Sequence, residues 1–326
     1  MNQKSIRTAF FAALGMMILI LDGKTALEGA TEGITLCIRT IIPSLFPFFV
    51  LSALVTTSLS GISAQFLQPL STMCGVSPYH QGILISAFLG GYPVGAQSVG
   101  GSFRAGTLTK SEAEHMLAFC SNAGPAFIFG IIGPMFSRRW ISWALWLIHI
   151  ASAVLVSLSM STSTQSIGCM EEKSMTVTQA LRLSIQTVAY VCGWVILFRI
   201  MIAFIKRWFL WILPVPIQVI VFGILELSNG CCELYLIQEE SIRFIIASCL
   251  LAFGGLCVLM QTISVTGGLS LRYYYRGKVM QTIYSLIISW IVIRGLWYLF
   301  ALIVPAFLYR NAKKRNNSSI SVPIRV

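Results

Sequence analysis

Residues 90–133 read GGYPVGAQSVGGSFRAGTLTKSEAEHMLAFCSNAGPAFIFGIIG. Apolar runs flanking this stretch are long enough to enter a bilayer, yet Gly91-Tyr92-Pro93 and Asn122-Ala123-Gly124-Pro125 interrupt them. Hydrocarbon cannot hydrogen-bond a freed backbone group. Broken backbone at membrane depth therefore survives only where protein or a water-filled cavity satisfies it. In transporters, interrupted helices of this kind carry the solute site near the bilayer midplane. The stretch predicts an all-α, polytopic membrane fold with interrupted or re-entrant helices.

Composition agrees. Of 326 residues, 56% are hydrophobic and 10% are charged, and the mean hydropathy is +0.80. A soluble domain carries about 25% charged residues. At about 20 residues per span, eight or nine segments fit. The net charge of +12 does not point to nucleic acid, whose electrostatic footprint clusters on one face. The basic residues instead stand at the ends of apolar runs, as in Arg138-Arg139, Lys206-Arg207 and Arg272/Arg276/Lys278, and read as topology determinants. Arg310, Lys313, Lys314 and Arg315 read as a contact with the membrane surface. The nine cysteines stand singly apart from Cys231-Cys232, without zinc spacing. No metal, cofactor or disulfide is expected from them. Lys4 and Arg7 ahead of residues 8–21 imitate a signal peptide, but Asp22-Gly23-Lys24-Thr25 offers no cleavage motif, which predicts an uncleaved first span.

Apolar segments fall at 8–21, 34–58, 80–96, 113–136, 140–160, 180–205, 209–235, 243–266 and 279–308. The polar stretch 161–178 divides a first membrane half, 1–160, from a second, 179–310, and 311–326 forms a basic tail. The halves are weakly similar. The break ending at Gly95-Ala96 corresponds to Glu226–Gly230, Ala118-Phe119-Cys120 to Ala247-Ser248-Cys249, and Gly124-Pro125 to Gly254-Gly255. Matching interruptions in two halves point to a transporter's binding site. Lys4 and Arg7 place the N-terminus in the cytoplasm. Nine spans then put the basic tail on the opposite side, unless one interrupted segment is re-entrant.

Glu226 is the sharpest single residue, because a carboxylate at mid-bilayer costs on the order of 3 kcal/mol to insert. It reads as a proton or cation relay or a solute contact; the alternative is a neutral hydrogen-bonded carboxyl or a pair with Arg199 or Arg294. Ser228, Asn229 and Gly230 follow at once and add polar groups at a break. Ser121 and Asn122 form the polar heart of the other break, with Gly124 and Pro125 beside them. An amide there suits a carboxylate, a base edge or a sugar hydroxyl, or else ties helices together. A helix starting at Pro125 would favour an anion at its N-terminus. Gly91, Pro93 and Gly95 shape the first break, and Tyr92 could stack on a planar solute or sit at an interface. Gln261 and Ser264 are candidate lining residues. Gln97 and Arg104 lie just past the first break, and Arg104 reads as a loop charge or an anion attractor. Glu233 reads as nearer a segment end. His115 and His149 lack ligand spacing and read as packing residues. No catalytic motif appears, so no enzymatic activity is expected.

GYPVGA at 91–96, the acidic pair Glu112 and Glu114, SNAGPAFIFGIIG at 121–133, Glu226-Leu227-Ser228-Asn229-Gly230 and AFGG at 252–255 together resemble the YlbJ-type sporulation integral membrane proteins. These form a group within the nucleoside-recognition, or Gate, domain family. The resemblance covers roughly residues 33–300. It implies action at the membranes around a developing spore, in cortex formation and dipicolinate accumulation. The family often places a basic residue after GYPxGA, where this chain has Gln97, which leaves Arg104 or backbone amides to meet an anion. The reading that follows is a permease in the lipid bilayer for a small planar anion such as dipicolinate, or for a nucleoside-like solute. Glu226 would couple or gate, and Asn122 and Asn229 would orient the solute. The alternative is a membrane scaffold for spore cortex or envelope assembly, acting as a homo-oligomer or with other sporulation membrane proteins.

Overall fold

The computed structural model describes residues 3–59, 62–160, 175–209 and 212–296. The basic tail and residues 161–174 of the polar linker lie outside the described residues. Helix α1 spans Gln3–Leu21 and α2 spans Gly23–Leu36, the latter capped by Asp22, whose carboxylate accepts from the Thr25 N–H at 3.3 Å. A π-helical turn, Cys37–Ile41, carries α2 into α3, Ile42–Ser58. Then follow α4 (Gln68–Cys74), α5 (Gln81–Ile85), α6 (Val94–Arg104), α7 (Lys110–Leu117), α8 (Pro125–Phe127) and α9 (Trp140–Ser159). After the linker come α10 (Val177–Phe209), α11 (Val215–Leu225), α12 (Leu227–Cys232), α13 (Glu240–Phe253), α14 (Gly255–Thr266) and α15 (Arg272–Ile293). No strand occurs among the described residues.

The protein is an all-helical, polytopic membrane protein. Among the described residues four stretches are long and apolar enough to cross a bilayer: Gly23–Ser58, Trp140–Ser159, Val177–Phe209 and Glu240–Thr266. The apolar segment expected at 113–136 is not one helix. It is α7, a break at 118–124, and α8 continued by a π-helical turn, Ile128–Ile132.

Two seams organise the helices. Along the first, α10 packs on α2 and α3, with Gly29 and Gly33 lying one helical turn apart against Ile196, Arg199, Ile200 and Ala203. A β-carbon on Gly29 would stand 2.9 Å from the Ala203 β-carbon, so small residues set how closely these helices approach. Along the second, α15 packs on α9, α13 and α7. Its buried stripe is Tyr274, Gly277, Lys278, Gln281, Ser285, Ile288, Ser289 and Val292, a helical spacing. Ser285 and Ser248 share a hydroxyl hydrogen bond of 2.6 Å across the α13–α15 contact. The opposite face shows Val279, Ile283, Leu286, Ile287 and Trp290 to the outside. This helix is inside-out relative to one in water, with polar groups inward and apolar groups outward. The interrupted helices sit between these seams.

Candidate functional site

Four helix interruptions converge. The first follows a π-helical turn, Ser86–Gly90. Gly91 has φ +83°, and the Tyr92–Pro93 peptide is cis. In the second, Gly124 lies directly against Gly91: a β-carbon on Gly91 would stand 3.1 Å from the Gly124 nitrogen. Only two glycines allow this approach. Backbone groups freed by the second interruption find side-chain partners, as burial demands. The Ala123 N–H donates to His149 Nε2 at 3.0 Å, and Asn122 Nδ2 donates to the Phe119 carbonyl at 2.7 Å. Asn122 Oδ1 accepts from Gln281 Nε2 at 2.9 Å. Pro125 opens α8, where its missing N–H costs nothing.

The third interruption is Glu226, extended between α11 and α12. Its buried carboxylate caps α12, accepting from Ser228 N–H at 3.0 Å and Asn229 N–H at 2.8 Å. It makes no ion pair with Arg199 or Arg294. Arg199 is 2.9 Å from Glu32, and the Arg294 guanidinium lies 5.6 Å from the Trp290 ring. The fourth interruption is Gly254, with φ +82° and the Tyr92 ring against it. Asn229 is buried with neither polar atom of its amide partnered, and Gly230 packs on the Gly223 backbone.

Tyr92, Ala123, Glu226, Ser228 and Gln261 line one cavity of about 40 Å³. It joins candidate residues from both sides of the linker. One water occupies about 10–15 Å³ on this measure, so the space holds roughly three waters and excludes a planar dianion in this arrangement. Gln261 contacts Cys257 Sγ at 3.3 Å. The remaining candidates, Gly91, Pro93, Gly95, Ser121, Asn122, Gly124, Pro125, Asn229 and Gly230, are absent from this cavity's lining. Gly95 packs on the Cys120 carbonyl.

Other charged and polar candidates lie elsewhere. Gln97 lines a second cavity of about 70 Å³ beside Thr56, Ser98 and Ser102 and accepts from Thr187 at 2.9 Å. Arg104 donates to the Val265 carbonyl at 2.9 Å, so it ties α6 to α14. Glu233 pairs with Lys206, Ser264 accepts from Trp194 Nε1 at 3.1 Å, and the His115 ring packs on Phe119.

One residue corrects the sequence reading. Lys278, expected as a topology determinant, is 3% exposed and sits among the interruptions. Its Nζ donates to Tyr92 Oη at 2.9 Å, Gln281 Oε1 at 3.0 Å, the Ala252 carbonyl at 3.3 Å and the Ser121 carbonyl. The polar stripe Gly277-Lys278-Gln281-Ser285-Ser289 was the signal available in the sequence, since polar residues in a membrane helix face the bundle interior.

The curated sporulation integral membrane protein YlbJ of Bacillus subtilis (strain 168) is 21% identical to this chain, the match covering 87% of this chain and 82% of that protein. That likeness supports the YlbJ-type resemblance. No protein-family profile matches the chain, and no solved structure does.

Proposed function

We propose that the chain is a sporulation-associated membrane permease for a small planar anion, dipicolinate among the candidates, or for a nucleoside-like solute. Convergence of four helix interruptions, three of which place Tyr92, Ala123 and Glu226 on one small, mostly apolar cavity, carries this reading. A scaffold has no need of broken backbone at depth, whereas a permease needs it to present polar groups to a solute. The element order supports two related halves. With α1 and α4 set aside, each has a long helix, two interrupted helices and a closing helix: α2–α3, α5/α6, α7/α8 and α9, then α10, α11/α12, α13/α14 and α15. Alternating access would rock one half against the other. In a spore former the protein would act in a membrane surrounding the forespore, as a non-enzymatic carrier.

In this mechanism Glu226 gates by releasing the α12 amides it now caps, leaving those N–H groups to an incoming anion. Asn229 brings an amide with spare hydrogen bonds. Tyr92 offers a ring face to a planar solute. The test is uptake of radiolabelled dipicolinate, with a nucleoside panel alongside, in proteoliposomes carrying wild type or Glu226→Gln. Uptake of one solute that the variant loses is expected. No uptake of any solute by folded, inserted protein would overturn the permease. The size of the cavity, too small for such a solute as it stands, favours the second reading in that event: a scaffold for spore cortex or envelope assembly.

A further inference from the structure

Lys278 brings a cation into the molecule's interior that the proposed solute path does not use. An ammonium has three donors, and four oxygens share them. Tyr92 Oη comes from the first interruption, the Ser121 carbonyl from the second, the Ala252 carbonyl from the end of α13 at the fourth, and Gln281 Oε1 from α15 itself. The Ala252 carbonyl lies in the last turn of α13, where carbonyls are left free and partial negative charge collects, and the Ser121 carbonyl lies in the unwound stretch between α7 and α8. Unwound carbonyls and half-helix C-termini are a coordination set for small monovalent cations. The Tyr92 ring adds a face 4.8 Å from Nζ.

No carboxylate among the described residues shares this charge. On α13, Glu240 is taken by Ser137 at 2.6 Å, and Arg243 donates to the Ile237 and Met135 carbonyls. On α7, Glu112 caps its own helix at Thr109, while Glu114 accepts from the Ser270 N–H and pairs with Lys110. On α9, His149 faces the cluster with Nε2 occupied by Ala123. The titratable neighbours of Nζ are thus Tyr92, Tyr274 and His149, and it is neutral oxygen that holds the cation.

We propose that these four oxygens form a monovalent-cation site, filled in this arrangement by the Lys278 ammonium as a tethered ligand, and that its occupancy holds the first, second and fourth interruptions together. A lysine that merely packed would be replaced by methionine without loss. A lysine that fills a cation site leaves a vacancy that a free ammonium ion can occupy.

The experiment is thermal unfolding of purified Lys278→Ala, titrated with ammonium, methylammonium, potassium or sodium chloride against choline chloride at equal ionic strength. In choline the variant unfolds roughly 5 °C or more below wild type. Ammonium or methylammonium restores at least half of that shift, while wild type does not respond. Lys278→Met, which fills the space without a charge, is destabilised too and no cation restores it. Recovery no better than choline in Lys278→Ala, or a methionine variant as stable as wild type, overturns the proposal. If the alanine variant gives no folded protein, the methionine variant decides through Cys120, which is fully buried beside Ser121. Its modification by N-ethylmaleimide, read by mass spectrometry, should be about tenfold faster than in wild type, and an unchanged rate overturns the site. Neither readout involves a transported solute, so this site and the permease stand or fall separately.

Discussion

Replacing Tyr92 with phenylalanine removes one oxygen and leaves the ring in place against Gly254. That oxygen donates to the Leu251 carbonyl at 2.9 Å and accepts from Lys278 Nζ at 2.9 Å. A neutral buried hydrogen bond contributes about 1 kcal/mol, and one to a charged group about 1.5–3 kcal/mol. Tyr92→Phe should therefore cost about 2.5–4 kcal/mol. The two bonds separate in a double-mutant cycle with Lys278→Met. On the methionine background the charged partner is gone, and Tyr92→Phe loses only the Leu251 bond, about 1 kcal/mol. The cycle should close with a coupling of about 2 kcal/mol. Equilibrium unfolding of the four proteins in mixed micelles titrated with sodium dodecyl sulfate supplies the numbers. Costs that add to within about 0.5 kcal/mol would show that tyrosine and lysine do not share a bond, and would remove the first interruption from the cluster.

Three further outcomes follow from the packing. Gly95→Ala drives a methyl group into the Cys120 carbonyl and should cost about 3 kcal/mol of unfolding free energy; a neutral effect would mean that α6 and the second interruption are not in contact. Asn229→Leu replaces a buried, unpartnered amide with an apolar group of similar size. It should be neutral or stabilising by about 1–2 kcal/mol, and a stability loss would reveal a partner for the amide. Glu32→Gln breaks the half-exposed pair with Arg199 and should change stability by less than about 1 kcal/mol; a larger loss would make that pair a structural lock between α2 and α10.

Much of the architecture was legible because lipid punishes free backbone. Pro93, Pro125, Glu226 and Gly254 could not be accommodated in plain spans, and each marks an interruption. The N-terminus of α8 at Pro125 was legible for the same reason. What the sequence hid was direction. Lys278 stands two residues beyond Arg276, and at about 100° per residue it faces roughly the opposite side of α15. A charge count sees one basic cluster where the helix separates two. His149 and Gln281 were hidden likewise, since their value lies in what they meet: the Ala123 N–H and the Asn122 amide across the bundle. Glu226 was found by its cost, and of the partners the sequence left open it takes hydrogen-bond donors rather than Arg199 or Arg294. The donors to that carboxylate are the Ser228 and Asn229 N–H groups of its own chain, two and three residues on.

The inside-out pattern of α15 bears on how the chain is made. Its 22 residues reach about 33 Å, enough to cross the hydrocarbon, yet it is not among the stretches apolar enough to do so by composition. A lysine at the centre of an isolated helix opposes insertion by about 2.5–3.5 kcal/mol; Lys278, the seventh residue of α15, opposes it by less, and Gln281, Ser285 and Ser289 add to that. Synthesised last among the described helices, α15 meets α9 and α13 already in place, and their polar groups accept its buried stripe. Membrane entry of α15 is therefore a folding step rather than a partitioning step. A glycosylation-tagged α15 alone should stay out of microsomal membranes and should enter when α9 to α14 precede it.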